Sequence, residues 1–197
     1  MHVFVSGCRQ LCSLLYPVRQ PHNVCRVDAE EDVQDFVLEL DFVMQLDDDI
    51  IGQVVFCRAE ILSDDGRKIP ILTFGPIGIE PEFKRKGYGL ALLNYALDKA
   101  RNMGFGAVCM EGNIDFYGKA GFVLASSKKI HYHGEDRSDP VPYFLCLELQ
   151  EGYLDGIEGV YHTPKPYFIA QENPDDFELF DKSFPPKEKL RLPGQIF

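Results

Sequence analysis

Lys84-Arg85-Lys86-Gly87-Tyr88-Gly89 combines the residue types that hold a phosphate. Three consecutive cations supply charge, and the two glycines let a ligand approach the backbone closely. The run leads directly into Gly89 to Met103, where Leu90, Leu93, Leu97 and Ala100 recur at helical spacing and Gly104 supplies a stop. The N-terminus of such a helix carries unpaired N–H groups and a dipole that favours an anion. The plainer alternative is a basic turn without a ligand, because Gly-x-Gly alone is a weak signal. Two familiar phosphate motifs are excluded. A dinucleotide fingerprint needs a third glycine where this chain has Leu92, and a Walker loop needs Gly-Lys-Ser/Thr, which does not occur.

Two other groups could do chemistry. His131-Tyr132-His133, followed by Glu135 and Asp136, places two imidazoles on one side of a strand. No strict ligand spacing accompanies them, so the expectation is a polar strand end and no metal. The cysteines Cys8, Cys12, Cys25, Cys57, Cys109 and Cys146 form no Cys-x-x-Cys pair. Reduced, mostly buried thiols are expected. Cys8 and Cys12 lack a third ligand for zinc, and Cys109 would need a histidine beside it to act as a nucleophile.

The elements that must position these residues read as follows. Leu40 to Met44 and Ile50 to Ile61 are strand-like around the turn Asp47-Asp48-Asp49, and Ser63-Asp64-Asp65-Gly66 turns the chain again. A strand over Ile69 to Ile79 is interrupted at Gly75-Pro76, where proline cannot donate to a ladder, so a bulge or break is expected. With the helix and the apolar Ala107 to Met110 this forms a strand-helix-strand unit, which implies a crossover between parallel strands. A short helix around Asp115 to Lys119, a strand over Phe122 to His131 and a last strand over Tyr143 to Leu149 complete an α/β mixed sheet.

With 197 residues, 45% hydrophobic and 26% charged, the composition is that of one globular domain with a real core. From Glu151 onward glycines and prolines predict an extension wrapping that domain. Its aromatics, Tyr161, Tyr167, Phe168, Phe177, Phe180 and Phe184, cover this domain or a neighbour's in a homodimer. The first 27 residues read poorly, Leu11 to Val18 being a helix ended by Pro17 or part of a loop. Between Asp28 and Asp49 stand ten acidic residues and no Lys or Arg, nearly the whole net charge of -11. The plain reading is a solvated helix face plus a turn. The functional alternative is a field that attracts a cationic acceptor, or a binding surface in its own right. Acid excess argues against nucleic acid, and no apolar run approaches the roughly 20 residues that span a bilayer. No signal peptide is evident at the start, so a soluble cytoplasmic protein without membrane partners is expected.

Leu72-Thr73-Phe74-Gly75-Pro76-Ile77-Gly78-Ile79-Glu80-Pro81-Glu82-Phe83-Lys84-Arg85-Lys86-Gly87-Tyr88-Gly89 resembles the coenzyme A motif of the GNAT superfamily of N-acetyltransferases. Gly112-Asn113-Ile114-Asp115-Phe116-Tyr117-Gly118-Lys119-Ala120-Gly121-Phe122 is similar to that family's segment after its fifth strand, with a short helix that carries a tyrosine and ends in Gly-Phe. The first position of the glycine motif, usually Gln or Arg, is Lys84 here. Families of this type begin with a strand and two helices, which 1–35 do not show clearly. The resemblance spans about Phe36 to Gln150.

It implies a GNAT-like, mostly antiparallel sheet with one parallel strand-helix-strand unit splayed for coenzyme A. Residues 1–150 would be a single acetyltransferase domain and 151–197 its C-terminal extension. Acetyl-CoA would be the cosubstrate and an amine the acceptor. Its pantetheine arm would pair with backbone near Ile77, Gly78 and Ile79, and Asn113 would bond that arm or cap the helix. The pyrophosphate would sit on N–H groups of Arg85, Lys86, Gly87, Tyr88 and Gly89, beside Lys84. Tyr117 would protonate the departing thiolate, and Glu80, Glu111 or a water held by either would serve as base. The alternative is a non-catalytic acyl-CoA-binding relative.

Overall fold

The structure is a computed structural model that describes residues 2–5 and 35–182. Strand β1 (His2–Val5) pairs antiparallel with β2 (Phe36–Leu46), so the chain does begin with a strand. Leu11 to Val18, read as a helix or part of a loop, Cys8, Cys12 and the acidic positions 28–34 lie outside the described residues. β2 turns through Asp47, which has a positive φ of 53°, into β3 (Asp49–Ser63).

Alternation along these strands sorts the side chains. Phe42, Met44, Val54 and Phe56 join the main core on one face, while Val55 and Cys57 pack with Phe36 on the other. Here the acidic run departs from a solvated helix. Phe36 to Leu46 is a strand, and its two-residue period carries Asp41 inward, where Gln53 Nε2 donates to Asp41 Oδ1 at 3.2 Å. Asp47, Asp48 and Asp49 do face solvent.

β4 (Lys68–Ile79) lies antiparallel to β3 and carries the expected irregularity. The register shifts between Val54 and Phe56, opposite a cis Gly75-Pro76 bond. A short 3-10 turn (Pro81–Phe83) leads to helix α1 (Tyr88–Asn102). α1 buries Leu92, Leu93, Ala96, Leu97 and Ala100, and Lys99 and Arg101 in its last turn complement the helix dipole. β5 (Ala107–Glu111) returns parallel to β4.

Helix α2 (Ile114–Tyr117) and a 3-10 turn follow, ended by Gly121 at φ 94°. The expected strand over Phe122 to His131 is two pieces, β6 (Val123–Leu124) and β7 (Ile130–Tyr132), separated by a 3-10 turn over Ala125–Lys128. Ser127 Oγ donates to the Leu124 carbonyl, a local bond that competes with a ladder. β8 (Phe144–Glu148) pairs with β5 and β6.

The C-terminal segment is more ordered than its composition suggested. β9 (Gly159–Tyr161) pairs antiparallel with β3 and parallel with β7, and helices α3 (Ile169–Glu172) and α4 (Pro174–Lys182) follow. A Cβ at Gly159 would run into the Leu62 backbone, so only glycine lets β9 approach β3. The described strands form one mixed sheet ordered β1-β2-β3-β4-β5-β8-β6, with β9 and β7 attached at β3. α1 covers one face. A second core, with Ile61, Ile71, Ala107, Cys109, Phe144 and Tyr161, lies under β7, β9 and the loops around them. Cys57, Cys109 and Cys146 are free and buried, and burial pushes all three thiols up.

His133 and His162 stack where β7 and β9 end, with ring centroids 4.1 Å apart. Burial and His133 hold the His162 imidazole below its ordinary pKa. The folded chain therefore binds that proton less readily than the unfolded chain, and stability is lost as pH falls below the ordinary histidine value of about 6.5. We expect thermal unfolding of His162→Gln to lose less midpoint than the native chain between about pH 7.5 and 5.5. Parallel shifts in both proteins would remove the imidazole pair as the cause.

Candidate functional site

β4 and β5 are in register at Leu72 and Val108 and at no later pair. Beyond that point the strands part, and β4 turns its paired edge to β3 through Ile79. Counting three residues from the last registered pair on each parallel strand puts the Gly75 irregularity level with Glu111 across the opening. This is a wedge with backbone groups along its β4 side.

At one end of the wedge lies the basic turn. Arg85 and Gly87 have left-handed backbones, with φ 60° and 89°, and alternation of this kind curves successive N–H groups toward a common centre. From Arg85 through Leu90 no N–H donates to a backbone carbonyl among the described residues; the first helical bond is Ala91 N–H to Gly87 O. Lys84, Arg85 and Lys86 are exposed and form no ion pair among the described residues. Lys86 Nζ lies 5.4 Å from the Phe83 ring centre. Orphan donors, a helix dipole and three uncompensated cations fit a pyrophosphate.

Along the wedge, Ile77 is partly buried and packs on the main core, and Ile79 is buried. Gly78 lies opposite Gln53 on β3. Gly112 carries the chain out of β5, and a Cβ there would overlap the Tyr117 ring. Tyr117 consequently packs against Phe74, Phe116 and Phe122, with ring centroids 5.8, 4.8 and 5.9 Å away. Burial pushes its hydroxyl pKa well up, so it stays protonated through the neutral range. Asn113 caps α2, its side-chain oxygen accepting the Asp115 N–H at 2.8 Å.

The two carboxylates named from sequence are not together. Glu80 directly follows β4, donates its N–H to Ile51 O and keeps Oε2 buried with no partner among the described residues. It adjoins the basic turn. Glu111 ends β5. Val108 and Met110 point into the α1 core while Ala107 and Cys109 point into the second core, so alternation sends Glu111 to the face opposite Tyr117. There Tyr132 Oη donates to Glu111 Oε1 at 2.7 Å, and Thr163 Oγ1 stands 3.3 Å from the same oxygen. Tyr167 Oη donates to the Gly75 carbonyl at 3.0 Å on β4.

Tyr132, Thr163 and Tyr167, which bond to Glu111 and Gly75 at this end of the opening, are not among the site residues expected from the sequence. Tyr132 was noted only as part of a His-Tyr-His cluster, and Thr163 carries no local signal. His133 packs on His162, and no group of three or more His, Cys, Asp or Glu side chains that could hold a metal stands together among the described residues.

A mixed sheet in which the parallel pair β4 and β5 parts beside a glycine-bearing helix N-terminus defines the GNAT fold class. The chain belongs to the acetyltransferase (GNAT) family, whose profile matches residues 9–122. Among solved structures it is similar to a GNAT family N-acetyltransferase (YhbS) from Escherichia coli in complex with CoA. That match has a TM-score of 0.56 and 20% identity, over 64% of this chain and 68% of that one. It is also similar to a GNAT family acetyltransferase from Brucella melitensis in complex with acetyl-CoA, with a TM-score of 0.54 and 17% identity over 84% and 97%. No curated protein sequence matches the chain. No helix among the described residues is long and apolar enough to cross a membrane.

Proposed function

We propose that the chain transfers an acetyl group from acetyl-CoA to a primary amine by direct attack. The observation that carries this reading is the wedge itself. It has an anion-binding turn at one end, and at the other a protonated phenol on one face and a carboxylate on the opposite face. That the two solved relatives hold CoA and acetyl-CoA supports the donor half.

In this reading the pyrophosphate rests on the N–H groups of Arg85 to Gly89, near Lys84. The pantetheine arm runs along Ile77 to Ile79, and the thioester reaches the level of Gly75 and Glu111. Glu111, directly or through a water, takes a proton from the attacking amine. A backbone N–H near Ile77 meets the oxyanion, since the Gly75-Pro76 irregularity frees that edge from regular pairing. As the C–S bond breaks, Tyr117 gives its proton to the thiolate. Glu80 is the weaker base, because it stands at the phosphate end. Asn113 acts through the α2 cap, with its amide N–H groups free for the arm.

The test is calorimetric titration with acetyl-CoA and with CoA, followed by thiol release in the presence of a panel of primary amines. Saturable binding together with amine-dependent thiol release is expected. Binding without turnover on any amine would replace catalysis by a non-catalytic acyl-CoA-binding role. No binding would remove both.

A further inference from the structure

Glu111 does not stand alone at the end of β5. Its Oε1 belongs to a triangle with two hydroxyls: Tyr132 Oη at 2.7 Å, Thr163 Oγ1 at 3.3 Å, and 2.9 Å between the two hydroxyls. Each hydroxyl has one proton, so at least one donates to the carboxylate, and the pair together fixes which oxygen is engaged. Oε2 has no partner among the described residues and is the oxygen left for an incoming amine. Tyr132 is itself held by rings, with Phe144 5.2 Å and Tyr143 5.9 Å away. Thr163 follows β9 by two residues, and β9 is fixed by pairing with β3 and β7. The support is therefore built on paired strands.

We propose that Tyr132 and Thr163 are positioning residues for Glu111, so that the segment after β9 completes the acceptor side of the site. This rests on Glu111 as the proton acceptor of the preceding reading and adds what sets its orientation. Thr163 lies beyond residues 9–122, the part that the family profile covers. Tyr143, whose ring packs on Tyr132, donates its hydroxyl to Glu135 at 3.1 Å.

The test uses Thr163→Val, Tyr132→Phe and Thr163→Ser in the full chain. In Thr163→Val and Tyr132→Phe kcat should fall about 5- to 10-fold with the acetyl-CoA dissociation constant unchanged, a split that a general loss of structure would not give. Thr163→Ser, which keeps the hydroxyl, should restore kcat. Native kcat in both Thr163→Val and Tyr132→Phe, with the native chain active, would overturn the positioning role alone. A native chain that binds acetyl-CoA and acetylates no amine would overturn the acetyl-transfer reading and the role of Glu111 with it.

Discussion

Gly89→Glu should weaken acetyl-CoA and CoA binding by at least about 100-fold, which is about 2.7 kcal/mol. A Cβ at Gly89 would lie 3.5 Å from Ile79 Cγ1 and from Phe116 Cζ, ordinary contact distances, so the backbone accepts a side chain. Gly89→Ala is accordingly expected to bind like the native chain and serves as control. A glutamate there adds a negative charge in the first turn of α1, next to the N–H groups of the basic turn, where it repels a diphosphate. At an effective dielectric constant near 20, two unit charges about 4 Å apart repel by about 4 kcal/mol. An acidic residue in the first turn of α1 also favours the helix, so lost binding will not come from unfolding. Calorimetry on both variants makes the measurement. Affinity within about threefold of native in Gly89→Glu would show that the pyrophosphate sits elsewhere.

Tyr117→Phe should lower kcat about 100-fold and leave the acetyl-CoA dissociation constant unchanged. The ring lies among Phe74, Phe116 and Phe122, a site in which phenylalanine fits without rearrangement. The Tyr117 hydroxyl donates to no described acceptor, so its removal leaves no orphaned partner. What is lost is a proton held in place by burial. Without that proton the thiolate departs more slowly, so the defect should be largest with the least basic amines, whose return from the tetrahedral adduct is fastest. Unchanged turnover with every amine would take Tyr117 out of the mechanism.

The phosphate end of the candidate site was readable because its signals are local. Lys84 to Gly89 is contiguous, and the stripe of Leu93, Leu97 and Ala100 fixes which side of α1 is buried, although Leu92 and Ala96 widen it. Gly75-Pro76 marked the irregularity in β4 because proline lacks the donor that a ladder needs. Gly112 to Phe122 led to Tyr117 through a motif whose glycines have geometric causes: one clears the Tyr117 ring, and Gly121 takes φ 94°.

The Glu111 end of the candidate site was hidden because its contacts are distant in the chain. Glu111 and Thr163 are 52 residues apart, and Tyr167 and Gly75 are 92 apart. Nothing periodic links them. β9 is three residues long, too short for alternation to register, and is recognisable only from the closeness of Gly159 to β3. The acidic run misled for the opposite reason. Its charges suggested a wet surface, yet a two-residue period alternates faces regardless of charge, and Asp41 fell on the inner one.

β9 also bears on how the protein is made. β2 runs alongside β3 from Phe36, paired with Cys57, to Leu46, paired with Asp49, and beyond it the same strand continues through Ile61, Leu62 and Ser63 beside β9. During synthesis those three residues emerge long before Gly159 to Tyr161 can reach them. For that interval the nascent chain carries an open strand edge with Ile61 and Leu62 on it, a template for pairing with another copy. Release of the last part of the chain closes that edge, so premature termination after β8 should yield a product that aggregates rather than a smaller soluble domain.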